Sequence, residues 1–174
     1  MYKVNIKQGD FLEEDAQIIV NPSNTKLILG SGVSMAIKRK CGFKLQELMD
    51  IEKEKKVYTK GDIAITNDSS NNYEKIIHAC IMNYSDKSIS KFPDLNDIEK
   101  VLFNIEDYLI KNNLTDKKIA IPMIGCGVGN LKIIDVINLY IKFFSRETSL
   151  NNKISIYIYD YDDFVLVNKL STYK

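Results

Sequence analysis

Ile119-Ala120-Ile121-Pro122-Met123-Ile124-Gly125-Cys126-Gly127-Val128-Gly129-Asn130-Leu131 decides the fold, because an uncharged apolar run breaks there into three glycines at alternate positions. Ile119 to Met123 is short and rich in β-branched residues, which suits a strand covered on both faces. Gly125, Gly127 and Gly129 permit backbone dihedrals that side chains forbid. From Leu131 the apolar spacing turns helical, so the glycines lie between a buried strand and a helix start. Successive free N–H groups at such a place can form a concave nest, and the helix dipole adds partial positive charge. A phosphate or pyrophosphate is the natural occupant. Taken alone, the stretch is equally consistent with a glycine-rich turn that holds nothing.

A second candidate anion loop lies upstream. Leu29-Gly30-Ser31-Gly32-Val33-Ser34 precedes a helix expected from about Val33 to Lys40, capped by Ser31 or Ser34 and ended by Gly42. Before it, Ala16 to Asn21 reads as a buried strand through Ile18, Ile19 and Val20, which Asn21-Pro22-Ser23-Asn24 should stop because proline bars further pairing. Asn21 and Asn24 then either stand at the carboxyl edge, where open α/β sheets take their ligands, or merely satisfy a turn.

The rest of the chain alternates strand and helix. Tyr2 to Lys7 has the pattern of an edge strand, with Tyr2, Val4 and Ile6 on one face. A helix from Phe43 to about Lys55 should turn Leu45, Leu48, Met49 and Ile51 inward and leave the Glu52 to Lys56 charges solvated. Strands follow at Ile63 to Thr66 and Lys75 to Cys80, joined by a polar loop from Asn67 to Asn72. His78, between Ile77 and Ala79 in the second of these, is expected to be a hydrogen-bonded core residue rather than a catalytic base. Met82 to Phe92 suits a surface loop near the ligand crevice or a lid. Pro93 opens a helix to about Asn112 with Leu95, Ile98, Leu102, Ile105 and Leu109 on one stripe. Leu131 to about Phe144 should be a deeply packed helix through Ile134, Val136, Ile137, Ile141 and Phe144, with Asp135 complementing its dipole. Ile154 to Tyr159 is the last strand, and Asp160 to Leu170 a short closing helix. The alternation implies a mixed sheet between helices.

Composition narrows what such a chain does. Its 174 residues, 45% hydrophobic, fit one domain spanning 1–174. Lysine and arginine number 24 against 23 acidic residues, so no long-range attraction draws the chain toward RNA or an anionic membrane, and any anion site is local. Cys41, Cys80 and Cys126 have no CxxC spacing, which argues against a disulfide framework or a zinc site and fits a reducing cytoplasm. A single histidine excludes a multi-histidine metal centre, and no metal or cofactor is expected. No signal peptide or membrane span is expected. Neither glycine loop ends in Gly-Lys-Ser or Gly-Lys-Thr, which sets aside a P-loop NTPase.

Gly9-Asp10, Ile18 to Asn24, Gly30 to Gly42, Gly61-Asp62, Ile76-Ile77-His78-Ala79 and Ile121 to Gly129, taken in order, resemble the macrodomain family, whose members recognise ADP-ribose. The resemblance implies a three-layer α/β/α sandwich with a mixed sheet of about six strands and the ligand across its crest. It implies that Asp10 accepts from the adenine amino group, with backbone contact from Phe11. Asn24 and Gly30, Ser31, Gly32, Val33 and Ser34 would meet the distal ribose and phosphate, and Gly125, Cys126, Gly127, Val128, Gly129 and Asn130 the other side of the pyrophosphate. Tyr159 or Tyr161 would stack on the adenine.

The same resemblance bears on catalysis. The usual hydrolytic branch has an aspartate where this chain has Ser34, while Asn24 is retained. The residues around Lys38 to Gly42, Gln46-Glu47-Leu48 and Ile124 to Gly127 are similar to the branch that reverses glutamate or thymidine ADP-ribosylation with a lysine and an aspartate. Matching places Asn67 and Gly129 at those two positions. The reading is therefore a binder of ADP-ribose or of ADP-ribosylated macromolecules. The alternatives are an ADP-ribosyl hydrolase or ADP-ribose 1″-phosphate phosphatase, with Asn24 and Ser34 at the reacting end, or an RNA-binding or structural interaction domain.

Overall fold

The computed structural model describes residues 1–171. Six strands form one sheet: β1 (Lys3–Gln8), β2 (Ile18–Asn24), β3 (Ile63–Thr66), β4 (Lys75–Met82), β5 (Lys118–Pro122) and β6 (Lys153–Ile158), in the order β1-β6-β5-β2-β4-β3. All neighbours are parallel except β3, which pairs antiparallel with β4 through the expected polar loop. A 3-10 turn (Phe11–Glu13) follows β1, and five helices cover the sheet: α1 (Gly32–Cys41), α2 (Lys44–Lys55), α3 (Leu95–Lys111), α4 (Ile133–Phe144) and α5 (Tyr161–Ser171).

The alternation of side chains along β2 explains the three layers. Ile18 and Val20 join the core under α3, α4 and α5, with Ile98, Leu102, Val136, Tyr140 and Val167. Ile19 joins the core under α1 and α2, with Ile37, Leu45 and Met49. Each of these β2 side chains is fully buried, and burial of one such side chain is worth roughly 1.5–3 kcal/mol. The three-layer α/β/α arrangement and the mixed sheet are as expected.

Several details differ from expectation. β2 does not stop at Asn21 but runs through Pro22 to Asn24 beside β4, Pro22 lying opposite Ala79 and the register shifting by one residue between Ser23 and Asn24. The ladder between β2 and β5 covers only Ile18–Ile119 and Ile19–Ala120, so at Pro22 the side facing β5 has no ladder bond to lose. β4 likewise continues to Met82. α4 starts at Ile133 rather than Leu131, and Ile141 on its outer face is exposed, as are Ile51 on α2 and Leu95 at the start of α3. Val4 is also exposed, because β1 is an edge strand with only β6 beside it. The cap of α3 is Asp94, which forms a reciprocal capping box with Asp97, one residue beyond Pro93. Gly42, at φ 85°, ends α1 as expected.

Tyr140 fixes the exit from β5. Its buried hydroxyl donates to the Pro122 carbonyl at 3.1 Å and accepts from the Ile124 N–H at 3.2 Å. Burial holds its phenol protonated by raising its pKa. Tyr140→Phe removes one hydroxyl and strands two buried main-chain groups, so urea unfolding should lose about 2 kcal/mol; an unchanged midpoint would mean that water replaces the phenol.

Candidate functional site

The separation of β2 from β5 opens a cleft at the carboxyl edge of the sheet. Here the chain reverses its order of strands, since β2 is followed by β4 and β3 on one side and β5 by β6 on the other. Such a switch point is where open α/β sheets bind ligands. The cleft has a volume of about 330 Å³.

One wall is the loop from Gly30 into the first turn of α1: Gly30, Ser31, Gly32, Val33 and Ser34. Gly32 has φ 54°, a left-handed conformation that favours glycine. Ser31 sits at the N-cap position without a capping side-chain bond, and the Ser34 hydroxyl is turned inward instead, 3.0 Å from both Asn21 Oδ1 and the Pro22 carbonyl. Neither serine caps α1 through its side chain, contrary to expectation, because β2 offers Ser34 a buried acceptor. The first helical bond runs from Met35 N–H to Ser31 O, and among the described residues the N–H groups of Gly30 to Ser34 have no acceptor in the protein.

The facing wall is Gly125, Gly127, Val128 and Gly129. This loop closes on itself: Leu131 N–H donates to Gly125 O and Asn130 N–H to Gly127 O, both at 2.9 Å, with Asn130 at φ 59°. A Cβ on Gly129 would lie 2.5 Å from Gly125 O and 2.9 Å from Pro93 Cγ, so this position admits no side chain. The N–H groups of Gly125, Gly127, Val128 and Gly129 also lack an acceptor in the protein among the described residues. The helix whose N-terminus lines the cleft is α1 and not α4, whose first residue Ile133 lies outside the lining.

The floor and rim come from strand ends and the loop after β4. Asn24, Ser23 and Pro22 close β2, Ile81 and Met82 close β4, and Tyr84 stands at the rim. Asn24 is largely committed: its Oδ1 accepts from Lys26 and Ile28 N–H at 3.1 and 3.3 Å, and its Nδ2 donates to Ile28 O at 2.9 Å. It thereby holds the turn in which Leu27 takes φ 52°. The loop beyond Tyr84 is wound around Asn83, whose carboxamide bonds Ser85, Asp86 and Ile89, and is tied to Thr25. That segment is near the crevice, as expected.

The cleft lining contains no Asp, Glu, Lys, Arg or His. His78 lies behind it, fully buried, at the centre of a polar chain from Ser34 through Asn21 to His78 Nδ1 at 3.0 Å and from His78 Nε2 to Thr66 Oγ1 at 2.9 Å. Burial pushes the imidazole pKa down to about 3, so the ring is neutral and structural, as its place in a strand implied. The one Ser34 hydroxyl proton is shared between Asn21 Oδ1 and the Pro22 carbonyl, and Asn21 turns its Nδ2 donor toward Nδ1, which leaves the ring proton on Nε2 facing Thr66.

Other residues singled out from the sequence lie outside the lining of this cleft. Asp10 is exposed, and its Oδ1 accepts from Leu12 N–H at 2.9 Å; Phe11 is buried in the α1–α2 core. Tyr159 and Tyr161 are 79% and 66% exposed at the end of β6. Gln8 pairs with Ile158, so Asp10 and Tyr159 leave the same carboxyl edge, Tyr159 from the strand next to β5 and Asp10 from the strand beyond it, about 5 and 10 Å from β5 by strand spacing. Cys126 is half-buried behind the glycine loop, and burial, with Asp163 adding to it, pushes its thiol up to about 12. Asn67 follows β3, which runs antiparallel, so it emerges at the opposite edge of the sheet, where it accepts from Lys75 Nζ. A reactive group matched to that position has no access to the cleft. Ser23, not foreseen as a site residue, lies in the cleft lining; no spacing rule marks out a serine between proline and asparagine.

Residues 20–140 match the Macro domain family. An uncharacterised protein of Aquifex aeolicus is 30% identical over 132 residues, covering 74% of this chain and 72% of that one. Among solved structures, an Oceanobacillus iheyensis macrodomain with ADP superposes with a TM-score of 0.77 at 20% identity, covering 98% of this chain and 90% of its own. A Trypanosoma brucei macrodomain in complex with ADP-ribose gives 0.79 at 17% identity, covering 97% and 68%.

Two outcomes are expected. Since the unfolded histidine titrates near pH 6.5 and the folded one near 3, protons favour the unfolded chain throughout that window. His78 thus contributes stability that is complete above about pH 6.5 and falls by about 1.4 kcal/mol per unit as the pH drops toward 3. His78→Gln should lose that slope between pH 6 and 4.5 in urea titrations. Asn24→Ala should cost about 2 kcal/mol of stability with or without a ligand, because the turn it holds loosens.

Proposed function

The chain belongs to the macrodomain family, and from that membership we propose that its cleft binds ADP-ribose, free or carried on protein or nucleic acid. The observation that carries this is the pairing of two glycine-bearing loops, each with unpaired main-chain N–H groups, on opposite walls of one cleft. A diphosphate offers acceptor oxygens on both sides and needs donors from both. The helix dipole of α1 adds partial positive charge on one side. In this reading the adenosine half runs along the carboxyl edge toward Asp10, where Oδ1 is bonded to Leu12 and Oδ2 stays available for an amino group. Phe11 lends main-chain contact, and Tyr159 or Tyr161 lends a ring. The distal ribose lies toward Asn24 and Tyr84.

Binding without turnover is the activity we assign. Hydrolysis of a glycosidic bond needs a group to activate water and to meet oxocarbenium-like charge. With no carboxylate, lysine or histidine in the lining, that work falls to the ligand's own diphosphate. A reducing, cytoplasmic setting is part of the proposal, supported by three free cysteines. RNA is not the expected partner, given near-neutral charge.

Isothermal calorimetry with ADP-ribose tests the reading, and saturable binding is expected. No saturation up to millimolar ligand would reject it. Gly127→Glu meets no atom within 4 Å of its Cβ, so the fold should survive while the added charge lowers affinity by at least about tenfold. Release of ADP-ribose from modified protein or nucleic acid, or of phosphate from the 1″-phosphate, abolished in Gly127→Glu, would convert the binder into an enzyme.

A further inference from the structure

Ser23 carries the only wholly inaccessible side-chain nitrogen or oxygen without a hydrogen-bond partner among the described residues. The residue is 2% exposed, its hydroxyl has no hydrogen-bond partner in the protein, and it lies in the cleft lining. A hydroxyl taken out of water without a partner is unfavourable, and native proteins keep few of them. The other polar side chains of the lining are placed differently. Ser34 donates to β2, Asn24 is spent on its own turn, and Ser31 and Tyr84 are exposed to water.

The position of Ser23 indicates what it meets. The carbonyl of Pro22, immediately before it, accepts from Ser34 in the first turn of α1 at 3.0 Å, so that turn rests directly on β2 beside Ser23. The same turn presents the N–H groups of Gly32, Val33 and Ser34 without acceptors in the protein. A buried donor and a helix N-terminus thus border one part of the cleft, and no acidic side chain lines it. We propose that the Ser23 hydroxyl is a ligand-binding group that donates its proton to an oxygen of the phosphate held by the first turn of α1. A phosphate supplies only acceptors, so the serine is the donor. The inference rests on the ADP-ribose reading of the cleft and adds to it the side chain that orients one phosphate.

The test compares wild type with Ser23→Ala against ADP-ribose, ADP and inorganic pyrophosphate by calorimetry, with the unfolding midpoint of each ligand-free protein measured alongside. Because the hydroxyl has no internal bond, the ligand-free variant should be as stable as wild type or more so; a lower midpoint would show a bond within the protein and overturn the proposal. All three ligands should bind the variant about tenfold more weakly, the loss of one hydrogen bond to an anion. A loss confined to ADP-ribose would place the hydroxyl on the sugar and overturn the phosphate assignment. Equal affinities for wild type and variant would overturn the role of Ser23 and leave the ADP-ribose reading standing. Wild type that binds pyrophosphate but neither nucleotide would overturn that reading, while the pyrophosphate comparison still decides Ser23. Failure of all three ligands to bind wild type would overturn both.

Discussion

Two proline carbonyls govern the architecture. Pro22 on β2 and Pro122 on β5 stand near the ends of adjacent central strands whose shared ladder stops at Ile19 and Ala120. Beyond that point each carbonyl is taken by a hydroxyl from a helix, Ser34 of α1 for Pro22 and Tyr140 of α4 for Pro122. A buried carbonyl must be paired, and these two bonds let the strands separate without leaving one unpaired. The cleft is the space created by that separation, and its two glycine loops are the chain leaving those strand ends. The same hydroxyls fix the loops, because Ser34 belongs to one wall and Tyr140 also receives the N–H of Ile124, next to Gly125 at the start of the other.

Behind the first wall, polarity continues into the core. Ser34, Asn21, His78 and Thr66 bond in series across β2, β4 and β3, each partly satisfying the next. A buried polar chain is favourable only when its members are matched, so the neutral state of His78 is a condition of the geometry at the cleft. Ser34 is the member of this chain that reaches the cleft. At the position where the hydrolytic relatives implied by the sequence have an aspartate, this chain has a hydroxyl turned toward its own β2.

Much of this was legible in the residues. Ile18 to Val20 and Ile119 to Met123 were readable as buried strands because uncharged β-branched runs have few other places to go, and the two glycine loops announced themselves by spacing. The errors had physical causes. The rule that proline ends a strand assumes a neighbour on the side of the missing N–H, and β5 has left β2 before Pro22. Matching Asn67 to a reactive position ignored that an antiparallel strand delivers its end to the far edge. Asn24 lines the cleft, but the structural duty of its amide was not legible, because its three bonds to the following turn depend on a left-handed Leu27 that no propensity marks. Ile51 and Ile141 have the right spacing for a buried stripe but lie just past its border. Ser23 was silent because a missing partner is a property of the packed structure alone.

The proposed binding surface, made chiefly of peptide groups, has an unusual vulnerability. Most of its donors belong to the backbone and cannot be lost by substitution, whereas adding even one methyl group at Gly129 collides with Gly125. Damage to such a surface comes by accretion rather than by deletion. Its chemistry also does not ionise, so the proton balance of any complex is set by the guest and not by the host. The loops are thereby free to drift in sequence as long as their path and their small volume persist, which is how one recognition geometry can outlast most of the letters that once encoded it.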